Sequence, residues 1–234
     1  MRLSDVTLVL ATKDEARNIR VFLDSVPKDL SLVAVDASRD ETPDLIERLR
    51  PRKTLVVREP GTVTQARQRG AEIARTRWLL FSDADVAFAE DYFDRLTGLD
   101  EAGVHYGPKL SRDRFQPYYR RMARGQWLCH SCGIPAASGS NLVVDRGALF
   151  SVGGFDLSLS CNEDSELVWR IKRAGFPIRF HQDLVVYAID HRRILRGRLD
   201  KTLHSICRCT LLYTGLMPRR LRGLDWGYWQ NRDP

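Results

Sequence analysis

Over the first half of the chain, short runs of β-branched and leucine residues alternate with stretches whose apolar positions recur every three or four residues. Val6 to Ala11 is the first such run, and Ile19, Phe22, Leu23 and Val26 follow at the i, i+3, i+4, i+7 spacing of a helix with one buried face. A second strand is expected at Leu32 to Val35. Thr42-Pro43 then reads as an N-cap followed by proline at the first helical position, opening a helix to about Leu49. Thr54 to Val57 predicts a third strand, Val63 to Arg75 a helix, and Trp78 to Ser82 a fourth strand that runs directly into Asp83-Ala84-Asp85. This alternation predicts an α/β fold, a mixed and mostly parallel sheet flanked by helices.

Beyond Asp85 the pattern weakens. Helices are expected at Tyr92 to Leu99, Phe115 to Trp127 and Ser165 to Ala174, and strands at Val104 to Leu110, Asn141 to Val144, Ile178 to Phe180 and Val185 to Ala188. After His191, the residues Leu195, Leu199, Leu203, Ile206, Thr210, Tyr213 and Met217 are spaced by threes and fours, which predicts an amphipathic C-terminal helix.

Composition places these elements in one core. A chain of 234 residues with 43% hydrophobic content suits a single catalytic-sized unit, read here as residues 1–190, with a C-terminal extension over 191–234. The formal charge of +7 lies wholly in that extension, where ten Lys/Arg face three Asp/Glu. Its helix would pack on the core or lie on an anionic membrane surface. No nucleic-acid fold signature accompanies the charge, so no nucleic-acid partner is expected. No stretch approaches the roughly 20 apolar residues of a membrane span, and no export signal is evident. The expectation is a cytoplasmic protein, with the tail able to touch the inner face of the membrane. Trp226, Tyr228 and Trp229 would cover a cleft of the core or join a homodimer. Five cysteines suit thiols better than a disulfide framework, and Cys129-His130-Ser131-Cys132 lacks a second ligand pair for zinc.

Candidate chemistry gathers at strand ends. In open α/β sheets ligands settle outside the carboxyl ends of the strands. Thr12-Lys13-Asp14-Glu15, Asp36-Ala37-Ser38-Arg39-Asp40 and Ser82-Asp83-Ala84-Asp85 all fall there and should share one crevice. Two carboxylates two residues apart at a strand end offer hard oxygen ligands suited to Mg²⁺ or Mn²⁺ held jointly with a diphosphate.

These motifs, taken in order, resemble the family-2 glycosyltransferases of the GT-A (Rossmann-like) fold, over roughly Val6 to His191. Ala11-Thr12-Lys13-Asp14-Glu15 is similar to the family's opening loop, and Val35-Asp36-Ala37-Ser38-Arg39-Asp40-Glu41-Thr42 to its second acidic loop. Ala66-Arg67-Gln68-Arg69-Gly70, Asp83-Ala84-Asp85, Gly153-Gly154-Phe155-Asp156 and Glu163-Asp164 match the later ones. The resemblance implies transfer of a sugar from a UDP- or GDP-sugar to a hydroxyl of a glycan, lipid or small molecule, with inversion. Thr12, Glu15, Asp36 and Arg67 would hold base and ribose. Asp83 would meet the ribose or the metal, and Asp85 the metal, joined by His191. Asp164 would be the general base. Gly139 and Asn141, in Gly139-Ser140-Asn141, would approach the donor sugar, and Arg192 the diphosphate.

The chain departs from the family at Val35, which replaces an acid, and at Lys13, where an aromatic often stacks on the base. Uridine and guanosine therefore both stay open. A retaining transferase on the same fold, a nucleotidyl transferase and a basic-tailed adaptor or binding module are the competing readings. Nucleotidyl transfer is disfavoured by the lack of a glycine-rich phosphate loop near the N-terminus.

Overall fold

A computed structural model describes residues 1–191 and 207–224. Its centre is β1 (Val6–Thr12), which is buried on both faces because helices cover both sides of the sheet. Leu8 and Leu10 pack with Ile19, Phe22 and Leu23 of α1 (Ile19–Asp24) and with Leu45 and Ile46 of α2 (Thr42–Leu49). Val9 points the other way, towards Ala71 of α3 (Val63–Ile73). The period-2 alternation of one strand thus divides the interior into two layers. Gly70 lets α3 come this close, since a Cβ there would overlap the Val9 side chain.

Seven strands form the main sheet in the order β3-β2-β1-β4-β8-β6-β9. They are β2 (Ser31–Asp36), β3 (Thr54–Arg58), β4 (Trp78–Asp83), β6 (Val104–Tyr106), β8 (Leu142–Asp145) and β9 (Ile178–Phe180) around β1. Neighbours from β3 to β4 run parallel, β8 is antiparallel to both β4 and β6, and β6 is parallel to β9. A smaller sheet, β5-β10-β7, joins β5 (Val86–Phe88), β10 (Val186–Ala188) and β7 (Lys109–Leu110). The remaining helices are α4 (Tyr92–Thr97), α5 (Gln116–Ser131), α6 (Arg146–Ser151) and α7 (Glu163–Arg173). The expected mixed, mainly parallel α/β sheet is what forms.

Register decides where the polar loops meet. Thr12 pairs with Asp36, and Ala11 with Asp83, so the carboxyl ends of β1, β2 and β4 lie on one edge of the sheet. Because β8 runs antiparallel to β4, pairing Leu142 with Phe81, the segment before it reaches the same edge.

Local boundaries differ from the sequence expectation for identifiable reasons. Thr42 is the first helical residue rather than the N-cap, and its hydroxyl donates to Asp40. Val104 to Leu110 is split by Gly107-Pro108, where Gly107 packs against the Leu184 carbonyl too closely for a Cβ. α7 begins at Glu163, so the acidic pair is helical, in a first turn rich in acids that suits the helix dipole. At Gly153 and Gly154 the backbone takes φ of +84° and +76°, a region that glycine enters without a Cβ penalty.

Residues 207–213 are helical. Tyr213 stacks on Trp169 of α7 at 4.7 Å, and its hydroxyl donates to the Pro135 carbonyl at 2.7 Å. The buried Arg208 guanidinium donates to the carbonyls of Leu224 at 2.6 Å and Arg222 at 3.1 Å, holding the end of a short helix, Arg219–Arg222. Arg222 in turn pairs with Asp156 at 2.8 Å. Among the described residues no helix is long and apolar enough to cross a membrane.

Candidate active site

The first part of the site is the junction of β1 and β2. The Thr12 hydroxyl donates to Asp36 Oδ2 at 2.6 Å, and Asp36 also accepts from the Ser38 amide at 3.0 Å and the Ser38 hydroxyl at 2.8 Å. Both Thr12 and Asp36 are buried. The two loops lock each other. The Asp14 amide donates to the Ser38 hydroxyl at 2.8 Å, and the Glu15 amide to the Thr42 hydroxyl at 2.9 Å. Glu15 accepts from Asn18 at 2.6 Å, and Asn18 also reaches Asp190 at 3.1 Å, which ties this loop to the end of the 186–191 segment.

The second part is a buried charge network built on Arg67. From α3, one guanidinium nitrogen donates to Asp83 Oδ1 at 2.7 Å and another to Glu163. The three side chains are only 4%, 15% and 5% exposed. Burial alone would lower the Arg67 pKa, but the carboxylates of Asp83, Glu163 and Asp164 reverse that and raise it, so the guanidinium stays charged. Gly139 lies against its face, where a Cβ would overlap the guanidinium.

Asp164 sits beside this pair and keeps partial contact with solvent. Its two oxygens accept from the Gly139 amide and the Ser165 amide, both at 2.6 Å. Burial raises its pKa, against the lowering effects of Arg67 and of those two amides. Glu163 is raised as well, by burial first. A buried carboxylate that prefers its proton more than usual, fixed by two amides and still reachable from solvent, has the properties of a proton acceptor.

The third part is the β4 end. Asp85 is buried, and Lys109 of β7 donates to its Oδ1 at 3.0 Å. Asp83 and Asp85, each paired with one protein cation, present hard carboxylate oxygens, a donor chemistry that fits a divalent ion of the Mg²⁺ or Mn²⁺ type. Among the described residues no three His, Cys, Asp or Glu side chains gather as a metal-binding group.

Several sequence-derived assignments meet different partners. His191, expected at a metal, has both ring nitrogens engaged by protein, Nδ1 with the Tyr119 hydroxyl at 3.1 Å and Nε2 with Asp113 at 2.9 Å. Asn141, expected at the donor sugar, is fully buried, accepting from the Tyr92 hydroxyl at 2.7 Å and donating to the Leu184 carbonyl at 2.7 Å. It anchors the start of β8. Arg67, expected at base and ribose, spends its guanidinium on two carboxylates. The close backbone approach expected of Gly139 is to that guanidinium. Arg192 lies outside the described residues, as do Trp226, Tyr228 and Trp229. All five cysteines are free thiols.

Two site residues escaped the sequence reading. Lys109 reaches Asp85 only through the small sheet, whose strands come from three distant segments, and nothing in its local spacing signals this. Glu163 enters the sequence reading only within the Glu163-Asp164 motif, because its partner Arg67 is 96 residues away.

A family model described as Glycosyl transferase family 2 matches residues 7–143. The pre-mycofactocin glycosyltransferase of Mycobacterium tuberculosis is 26% identical over 211 residues, covering 82% of this chain and 44% of that protein. This chain therefore spans less than half the length of the curated relatives it matches. Among solved structures, a mannosyltransferase from Pyrobaculum calidifontis in complex with GDP-Man and Mn²⁺ superposes with a TM-score of 0.68 at 21% identity, covering 93% of this chain and 67% of that one. S. aureus TarS in complex with UDP-GlcNAc gives 0.64 at 16% identity, covering 94% of this chain and 73% of that one. These likenesses establish a shared fold, the GT-A architecture.

Proposed function

Since the chain belongs to glycosyl transferase family 2, we propose that it moves a sugar from a UDP- or GDP-sugar to an acceptor hydroxyl, with inversion at the anomeric carbon. The observation that carries this reading is the buried Arg67 guanidinium bridging Asp83, at the strand edge, to Glu163, next to Asp164. One cation thereby fixes the spacing between the strand-end crevice and the candidate base.

In this reading the donor nucleotide lies across the ends of β1 and β2, where Thr12, Glu15 and the Asp36 carboxylate recognise base and ribose. Mg²⁺ or Mn²⁺ held by Asp85 with Asp83 would offset the negative charge left on the departing nucleoside diphosphate. Asp164 accepts the proton of the acceptor hydroxyl as that oxygen attacks the anomeric carbon. The new carbon–oxygen bond forms as the bond to the diphosphate breaks, and the electron pair leaves with the diphosphate. A single base facing the donor from the opposite side dictates inversion. The GDP-Man, Mn²⁺ and UDP-GlcNAc of the structural neighbours support a nucleotide-sugar donor and a divalent ion. The acceptor is a glycan, a lipid or a small molecule.

Proton NMR of the freshly formed product tests the stereochemistry. Inversion is expected, with the anomeric configuration opposite to that of the donor. A product that retains the donor configuration would remove Asp164 from the base role and favour the retaining alternative.

A further inference from the structure

α5 stands out from the other long helices because its outer face is both basic and apolar. Of its 16 residues only Tyr119 is buried. Arg120, Arg124 and Leu128 follow one another at i, i+4, i+8, and Trp127 falls beside them on the same face. Trp127 is 48% and Leu128 57% exposed. Arg120, Arg121 and Arg124 are exposed too, and none pairs with a carboxylate among the described residues. Arg120 and Arg121 bond instead to Gln116 and to the Pro117 carbonyl of their own helix. No acidic residue occurs between Asp113 and Asp145. The neighbouring Ile134 adds a further exposed apolar side chain at the end of the helix.

From these observations we infer that α5 is a docking face for an anionic lipid bilayer, to which it binds peripherally. These arginines meet the negative headgroups, while Trp127 and Leu128 enter the boundary between headgroups and acyl chains. A purely electrostatic patch would not need the tryptophan and leucine, and a protein-covered apolar face would not need exposed arginines. The opposite side of α5 faces the site, since Tyr119 holds His191 and the helix packs on β7, which carries Lys109. A bilayer bound to the outer face would therefore lie one helix away from the reaction crevice.

Sedimentation of the full chain with vesicles tests this without relying on catalysis. Vesicles of phosphatidylcholine containing about one-third phosphatidylglycerol should bind the protein at least about tenfold more tightly than phosphatidylcholine alone. Arg120→Glu combined with Arg124→Glu, and separately Trp127→Ala combined with Leu128→Ala, should each weaken binding to the anionic vesicles by about tenfold or more, with an unchanged thermal melt. Arg196→Glu with Arg198→Glu in the tail should leave binding intact. Wild-type binding by both α5 variants would overturn the inference, as would loss confined to the tail variant. It would equally be overturned by a solution dimer that the α5 changes dissociate, or by binding to soluble polyphosphate without any partition to vesicles.

Discussion

Replacing Asp164 by asparagine is expected to slow sugar transfer by about 10²- to 10⁴-fold, the usual contribution of a positioned general base, with little change in donor affinity. The wild-type carboxylate accepts one amide hydrogen bond on each oxygen, from Gly139 and from Ser165. Asparagine can keep one of these but must turn its own NH₂ towards the other donor, so a thermal melt should accompany the kinetics. The pH dependence carries a second signature. Asp164 has to be ionised to take a proton, and burial raises its pKa above the ordinary carboxylate range. The wild-type rate should therefore fall as pH drops through that raised value, earlier than for an exposed aspartate. In Asp164→Asn this acid limb should vanish from the residual rate. Wild-type turnover in the variant, measured under saturating donor, would end the assignment.

Arg67→Met should be strongly destabilising. It removes the cation from between Asp83 and Glu163, both largely buried, and leaves two carboxylates without their partner. Breaking a buried pair in this way costs about 3–5 kcal/mol, which urea denaturation would register as a large fall in midpoint. Arg67→Lys should recover little of it, because one ammonium cannot reproduce a planar fork that reaches two carboxylates. Adding Glu163→Gln to Arg67→Met should restore part of the loss by removing one uncompensated charge. The combined variant distinguishes a charge effect from a packing effect, and equal stability of the single and double variants would contradict the network. Donor turnover should fall with Arg67→Met even where the protein remains folded, since Asp83 and the Asp164 region would no longer be held at a fixed spacing.

The parts of the molecule legible in the sequence are those governed by short-range patterning. β1, β2 and β4 are recognisable because strands covered on both faces read as continuous apolar runs, and Thr12, Asp36 and Asp83 follow directly at their ends. The meeting of these ends was legible too, since parallel strands of similar length share an edge. The roles that depend on long-range pairing were not. Nothing near Arg67 marks Asp83 and Glu163 as its partners, 16 and 96 residues away. Asn141 lies in a plausible sugar-facing motif, yet the Tyr92 hydroxyl and the Leu184 carbonyl claim it. His191 similarly stands between Tyr119 and Asp113, contributed by α5 and the loop before it. Gly139 stands in a motif expected to approach the donor sugar, and the group packed against it is the Arg67 guanidinium. The small sheet is hardest to read, since strands of two or three residues carry almost no periodic signal.

The central claim is that the ends of β1, β2 and β4 form the seat of a nucleotide-sugar, with Asp36 as its main recognition carboxylate and Asp164 outside the binding contacts. Calorimetric titration of UDP- and GDP-sugars in the presence of Mn²⁺, on the wild type, Asp36→Asn and Asp164→Asn, tests it directly. One donor class should bind the wild type and Asp164→Asn alike, and Asp36→Asn about tenfold or more weakly, as expected when a charged hydrogen bond is lost. No binding of either donor to the wild type, or equal binding to wild type and Asp36→Asn, would contradict it.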